Sequence, residues 1–194
     1  MYPQSFQELI NHFSSLPGIG PKMAERLVLF LFKQSNDKLD DFTTSLKSLQ
    51  NISTCSKCYN ISQDTLCTIC SNNSRNKSKL CIVEEPLDII PIERSNAFDG
   101  IYHVLGGVIK KQNTADNLTI NKLINRIENE NFKEIIIATN LTTEGDMTAM
   151  YLKQKLSTYD IKLSRLLRGL STGSDIEYAD DMTIRSAITN RTQF

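Results

Sequence analysis

Apolar residues recur at helical spacing over the first third of the chain, then in short continuous runs over the rest. Phe6, Leu9, Ile10 and Phe13 make one stripe, and Ala24, Leu27, Val28 and Leu31 make a second. Between them stands Leu16-Pro-Gly-Ile-Gly-Pro21, whose two prolines and two glycines force a tight break. Residues 1–53 are therefore expected to be helical. From Leu80 onward the pattern changes. Leu80–Val83, Ile101–Leu105, Glu134–Ala138 and Ile161–Leu167 are short apolar runs of the kind buried in a parallel sheet. Leu118–Ile127 and Met147–Leu156 carry helical spacing between them. Strand alternating with helix predicts an α/β region with a mostly parallel sheet.

Between these zones lie Cys55-Ser-Lys-Cys58, eight residues, and Cys67-Thr-Ile-Cys70. Two such hooks bring four thiolates to one point, and four soft ligands at about 2.3 Å are what tetrahedral Zn²⁺ takes. Two disulfides are the alternative, but they need an oxidising compartment, and nothing in the chain suggests export. Four protein ligands leave no open coordination position, so such a zinc would hold structure and perform no chemistry. A polar stretch, Ser71 to Lys79, follows and reads as a linker in which Arg75, Lys77 and Lys79 are either solvated or touch a nucleic-acid backbone.

Of 194 residues, 40% are hydrophobic and 23% charged, which is ordinary for a globular chain with ample core. No window approaches the ~20 apolar residues of a membrane span, and residues 1–20 lack a signal-like apolar run. A cytoplasmic protein that does not engage membranes is expected. Net charge is zero but uneven: residues 1–79 hold nine Lys and Arg against six Asp and Glu, residues 80–194 thirteen against sixteen. A polyanion, if bound, should meet the first part. Cys81, inside an apolar run, is a small core residue.

Three motifs carry candidate chemistry. In the first, a Gly-x-Gly hairpin (Gly18, Gly20) between short helices resembles the helix-hairpin-helix of DNA repair proteins. Its glycines open backbone geometry and leave N–H groups at a helix start to meet phosphate. Lys22 and Arg26, four apart on one helix face, add charge without reading sequence. The second, made of Ile82-Val-Glu84-Glu85-Pro86, His103-Val-Leu-Gly-Gly107 and Ala138 to Asp146, resembles a Toprim domain. Catalytic members pair the glutamate with an Asp-x-Asp to hold Mg²⁺. Here the glutamate is Glu84, but the aspartate positions fall on Asn140 and Thr142, which bind Mg²⁺ weakly. Glu84, Glu144 and Asp146 are then expected to form an acidic surface for a protein partner, or to cap the helix that begins near Glu144, where first-turn acids are stabilising, and catalysis is not expected. The third candidate, an ATP site, fails at once: no Gly-x-x-x-x-Gly-Lys-Ser/Thr loop occurs in the sequence.

In this order, a hairpin, a four-cysteine module and a Toprim domain resemble the RecR family of bacterial recombination mediators. Arg165-x-x-Arg168-Gly169-Leu170 and Gly173-Ser-Asp175 to Asp180 match that family's C-terminal signature. The resemblance implies an α+β multi-module chain. Its parts are a helix-hairpin-helix DNA-binding region (1–53), a four-cysteine zinc finger (54–71), an α/β Toprim domain (79–172) and a C-terminal assembly segment (173–194). It also implies a non-catalytic, cytoplasmic, nucleoid-associated protein that forms ring-like homotetramers through its N-terminal helices and tail. Such a protein binds DNA through Gly18, Gly20, Lys22 and Arg26, with one structural Zn²⁺ on Cys55, Cys58, Cys67 and Cys70. Its partners are RecO and RecF, met at Glu84, Glu144 and Asp146, and its task is to help load RecA on single-stranded DNA. A Mg²⁺-dependent Toprim nuclease and a zinc-ribbon transcription factor are the rivals.

Overall fold

The computed structural model describes residues 2–110, 118–166, 169–170, 173 and 175–191. Leu167, Arg168 and Ser174 of the motifs above, and residues 171–172 and 192–194 of the expected Toprim and tail segments, lie outside them. The chain divides into two compact units, Met1–Asn51 and Ile52–Phe194.

The first unit holds α1 (Gln4–Ser14), α2 (Pro21–Phe32) and α3 (Asn36–Ser48). Ile10 of α1 packs against Ala24 and Val28 of α2, with Phe6, Phe13 and Ile19 closing over them. Ile10 of the first predicted stripe and Ala24 and Val28 of the second are therefore core, with Phe6 and Phe13 partly buried against them. Leu9 stays 38% exposed because two helices alone cannot cover the whole of either stripe. α2 starts where it does because Pro21, lacking an N–H, fits a first helical position, where no intrahelical bond is required.

The second unit opens with a two-stranded antiparallel ribbon, β1 (Ser53–Thr54) and β2 (Ile61–Ser62), and a single helical turn, α4 (Thr68–Ser71). Next come β3 (Lys79–Val83), α5 (Ile89–Arg94), β4 (Ile101–Val104), α6 (Ile120–Asn129), β5 (Glu134–Ala138), α7 (Thr143–Leu156), β6 (Lys162–Arg165) and α8 (Asp181–Thr189). The four longer strands form one parallel sheet in the order β4-β3-β5-β6. β3 and β5 are central, so both of their faces are covered and both sequences read as unbroken apolar runs. Leu80, Ile82, Ile135 and Ile137 face Leu123 and Ile127 of α6 and Leu152 and Leu156 of α7. The alternate residues Cys81, Val83 and Tyr102 pack on Ile89, Ile92 and Phe98. As expected, Cys81 is a core residue, its thiol pushed up to about 12 by burial.

The stretch read as a linker is instead built into this unit. The Arg75 guanidinium grips Glu93 at 2.6 and 3.1 Å and donates through Nε to the Gly100 carbonyl at 2.7 Å. Lys79 pairs with Asp99 at 3.0 Å. Asn72 and Asn76 fold back on their own backbone in Asx turns. A run of polar residues here makes turns and does not mark a flexible tether.

Candidate functional site

The hairpin comes first. Leu16 donates its N–H to Phe13 and Ile19 to Leu16, closing the turn, and Gly18 sits at φ +79°, where an L side chain would be strained. Gly20 is the N-cap of α2, and no side chain caps that helix; Pro21 has no N–H, and Met23 and Ala24 donate theirs to the Gly20 carbonyl at 3.0 Å, so the first-turn donor left without an acceptor in the helix is the Lys22 N–H. Lys22 and Arg26 are exposed one turn apart. The geometry offers a phosphate oxygen the Lys22 N–H at the helix start and two exposed cations on the same helix.

The four cysteines converge. Their Sγ atoms all lie within 4.8 Å of one another, with Cys58 and Cys67 at 3.5 Å. Sulfurs bound to a tetrahedral ion at about 2.3 Å stand roughly 3.8 Å apart, so the donor set fits a single Zn²⁺. The backbone prepares each hook. Tyr59 (φ 64°) turns its N–H back to the Cys55 carbonyl, and Ser71 returns its own to Cys67. Hydrogen bonding from Cys58, the largest influence, draws the Cys70 thiol below the ordinary thiol range. The cluster belongs to the sheet unit. The Cys58 carbonyl accepts the Val104 N–H at 2.8 Å, and Ile69, between the last two ligands, packs on both core clusters. Tyr59 meets the His103 ring edge-on at 5.4 Å.

At the carboxyl ends of β3 and β5, where open α/β sheets hold their ligands, Glu84 is only 7% exposed. Its carboxylate accepts the Asn140 backbone N–H at 2.7 Å and the Asn140 side-chain amide at 2.6 Å. The expected acidic surface is therefore corrected. Glu84 has no part in it, because both of its oxygens are spent inside the fold. Glu144 is exposed in the first turn of α7, and Asp146, half-buried, pairs with Arg165. Thr142, at the second aspartate position, is the N-cap of α7, and its hydroxyl accepts the Gly145 N–H at 3.1 Å. This cap starts α7 four residues before the apolar spacing begins at Met147. The structural roles of Asn140 and Thr142 were missed from sequence; the Thr-Thr-Glu-Gly-Asp run, a cap residue followed by first-turn acids, was the available signal. Beside this edge a cavity of about 470 Å³ is lined by Leu141, Asp146 and Arg165 and by Met182 and Arg185 of α8.

His103 is fully buried and takes no part in this site. The Thr119 hydroxyl gives its proton to the Val104 carbonyl, so His103 Nε2 must be the donor to Thr119 at 2.9 Å. Burial first, then the nearby Arg126 charge, pull its pKa down to about 3.

A glycine hairpin, a four-thiol cluster and a parallel sheet with a buried glutamate at its carboxyl edge place the chain in the class of multi-module proteins built around a Toprim-like sheet. Comparison with known sequences narrows it. Residues 6–49 match the RecR helix-hairpin-helix, 78–167 the Toprim domain and 169–192 the RecR C-terminal family. Proteins named "Recombination protein RecR" are similar over nearly the whole chain. That of Dehalococcoides mccartyi is 42% identical over 190 residues, covering 96% of this chain and 93% of the relative. That of Amoebophilus asiaticus is 44% identical over 188 residues (95% and 94%), and that of Ligilactobacillus salivarius 43% over 194 residues (98% and 98%). The chain belongs to the RecR family.

Proposed function

We propose that this chain is a non-catalytic, DNA-binding mediator of recombinational repair, which acts with RecO and RecF to help load RecA on single-stranded DNA. The observation that supports its non-catalytic part is the pairing of Glu84 with Asn140 at 2.6 and 2.7 Å, a neutral amide where catalytic Toprim domains carry an aspartate for Mg²⁺. The hairpin supports the DNA role: Lys22 and Arg26 flank the phosphate and the backbone from Gly18 to Gly20 seats it. Cys55, Cys58, Cys67 and Cys70 would hold Zn²⁺ as a closed structural clamp. Glu144 and Asp146, with exposed Leu141 and Met147 around them, offer the partner a mixed acidic and apolar edge. Self-assembly into a ring-like homotetramer is supported by apolar side chains left in solvent: Phe30 and Phe32 in the first unit, Met182 and Ile188 on α8. A cytoplasmic, nucleoid-associated location follows from this role, and no described helix is long and apolar enough to cross a membrane.

The test is reconstitution. RecA filament growth on DNA coated with single-strand-binding protein should accelerate when this chain and RecO are added together, and Glu144→Lys should remove the acceleration. The enzyme alternative has its own arm: labelled DNA incubated with the chain and Mg²⁺ or Mn²⁺ should stay intact, and cleavage abolished by Glu84→Gln would overturn the mediator role.

A further inference from the structure

In the loop that joins β5 to α7, the side chains of Thr139, Asn140 and Thr142 are each hydrogen-bonded. Thr139 donates its hydroxyl to the Gly145 carbonyl at 2.9 Å, and Gly145 gives its N–H to Thr142. The first turn of α7 packs so closely on this loop that a Cβ on Gly145 would stand 2.1 Å from the Asn140 carbonyl oxygen and 2.8 Å from Glu84 Oε1. At the centre, the Asn140 –NH₂ group is a donor placed against Glu84 Oε2, on the same carboxylate that takes the Asn140 backbone N–H. A carboxylate in this position wants positive potential. A hard divalent cation would supply it, and so does a pair of N–H dipoles.

We propose that the Asn140 side-chain amide is a built-in substitute for a divalent cation, and that Glu84 is a positioning residue for the α7 edge that works without metal. The Glu84–Asn140 bond fixes the residues that lead into the first turn of α7, and so the pose of Glu144. In that last step the inference rests on the proposed partner edge. An aspartate at 140 would set two carboxylates face to face, an arrangement that only a shared proton or a cation reconciles. Exchanging the polarity instead, glutamine at 84 with aspartate at 140, preserves both bonds: Gln Oε1 accepts the backbone N–H and Gln Nε2 donates to the aspartate.

Thermal melting in buffer containing zinc, with and without Mg²⁺, tests this on the full chain. The wild type should melt at the same temperature in both. Asn140→Asp should melt lower without Mg²⁺ and recover about 3–6 °C at ten times the dissociation constant of the ion. The double variant Glu84→Gln/Asn140→Asp should melt near the wild type and ignore Mg²⁺. Mg²⁺ stabilisation of the wild type would overturn the proposal, and so would an Asn140→Asp protein indifferent to the ion. Should Asn140→Asp fail to fold, the double variant decides: folded and Mg²⁺-indifferent supports the proposal, unfolded overturns it. No partner takes part in these measurements, so a failure of docking at Glu144 would show only in the filament assay and leave this result standing.

Discussion

Glu84 and Glu85 are neighbours in sequence with opposite fates. Glu84, with its two bonds to Asn140, is enclosed, while Glu85 is exposed at the start of the next helical turn. The buried His103 gives the residue scale its pH prediction. Its folded pKa of about 3 lies below the ordinary 6.5, so the imidazole is neutral in both states above pH 6.5 and contributes nothing there. As pH falls below 6.5 the unfolded chain takes up the proton and the folded one does not, so stability is lost progressively toward pH 3. Urea unfolding should show the wild type losing about 1 kcal/mol more than His103→Gln between pH 6.5 and about 5.5. Parallel pH profiles would show that His103 is charged or solvated in the fold. The cysteine hooks and the missing aspartates were legible in the sequence because each is a matter of residue type at a fixed spacing. The partner of Glu84 was not, since nothing in a linear pattern shows which of two adjacent glutamates turns inward.

Elements followed their periodicity where packing repeats it. The four parallel strands were foreseen within a residue or two; β3, β4 and β5 are buried and read as apolar runs, while β6, at the sheet edge, is only partly buried and owes its place to the apolar residues on either side of it. α5 was not foreseen: Ile89-Ile-Pro-Ile carries no helical punctuation, yet Pro91 falls in the first turn, where its missing N–H costs nothing. Arg75 was misjudged because its partner Glu93 lies 18 residues away in sequence. The loop from β5 into α7 makes the sharpest prediction at this scale. Gly145→Ala must push a methyl group into the Asn140 carbonyl, and the cost should be about 1–3 kcal/mol in urea unfolding. Thr142→Ala removes the α7 cap alone and should cost about 1 kcal/mol. A Gly145→Ala protein as stable as the wild type would mean that the first turn of α7 does not approach the Asn140 carbonyl this closely.

At the scale of the molecule, the chain forms two compact units, and the cysteine cluster belongs to the second. Because Cys58 accepts the Val104 N–H from the edge strand and Ile69 reaches both core clusters, loss of the clamp should spread into the sheet. Chelating zinc, or substituting Cys58→Ser, should lower the melting midpoint of residues 52–194 by about 10 °C or more and leave the helices of residues 1–51 to melt as before. A fall confined to the first unit would contradict this. DNA binding is the duty assigned to that first unit, and the central claim is that its hairpin holds phosphate. Fluorescence anisotropy of labelled single-stranded DNA, titrated across a range of salt concentrations, measures this directly. Lys22→Ala/Arg26→Ala should weaken binding and flatten the log Kd against log salt slope by about 1 unit for each phosphate that is no longer neutralised. An unchanged slope with unchanged affinity would place the DNA site elsewhere and contradict the account.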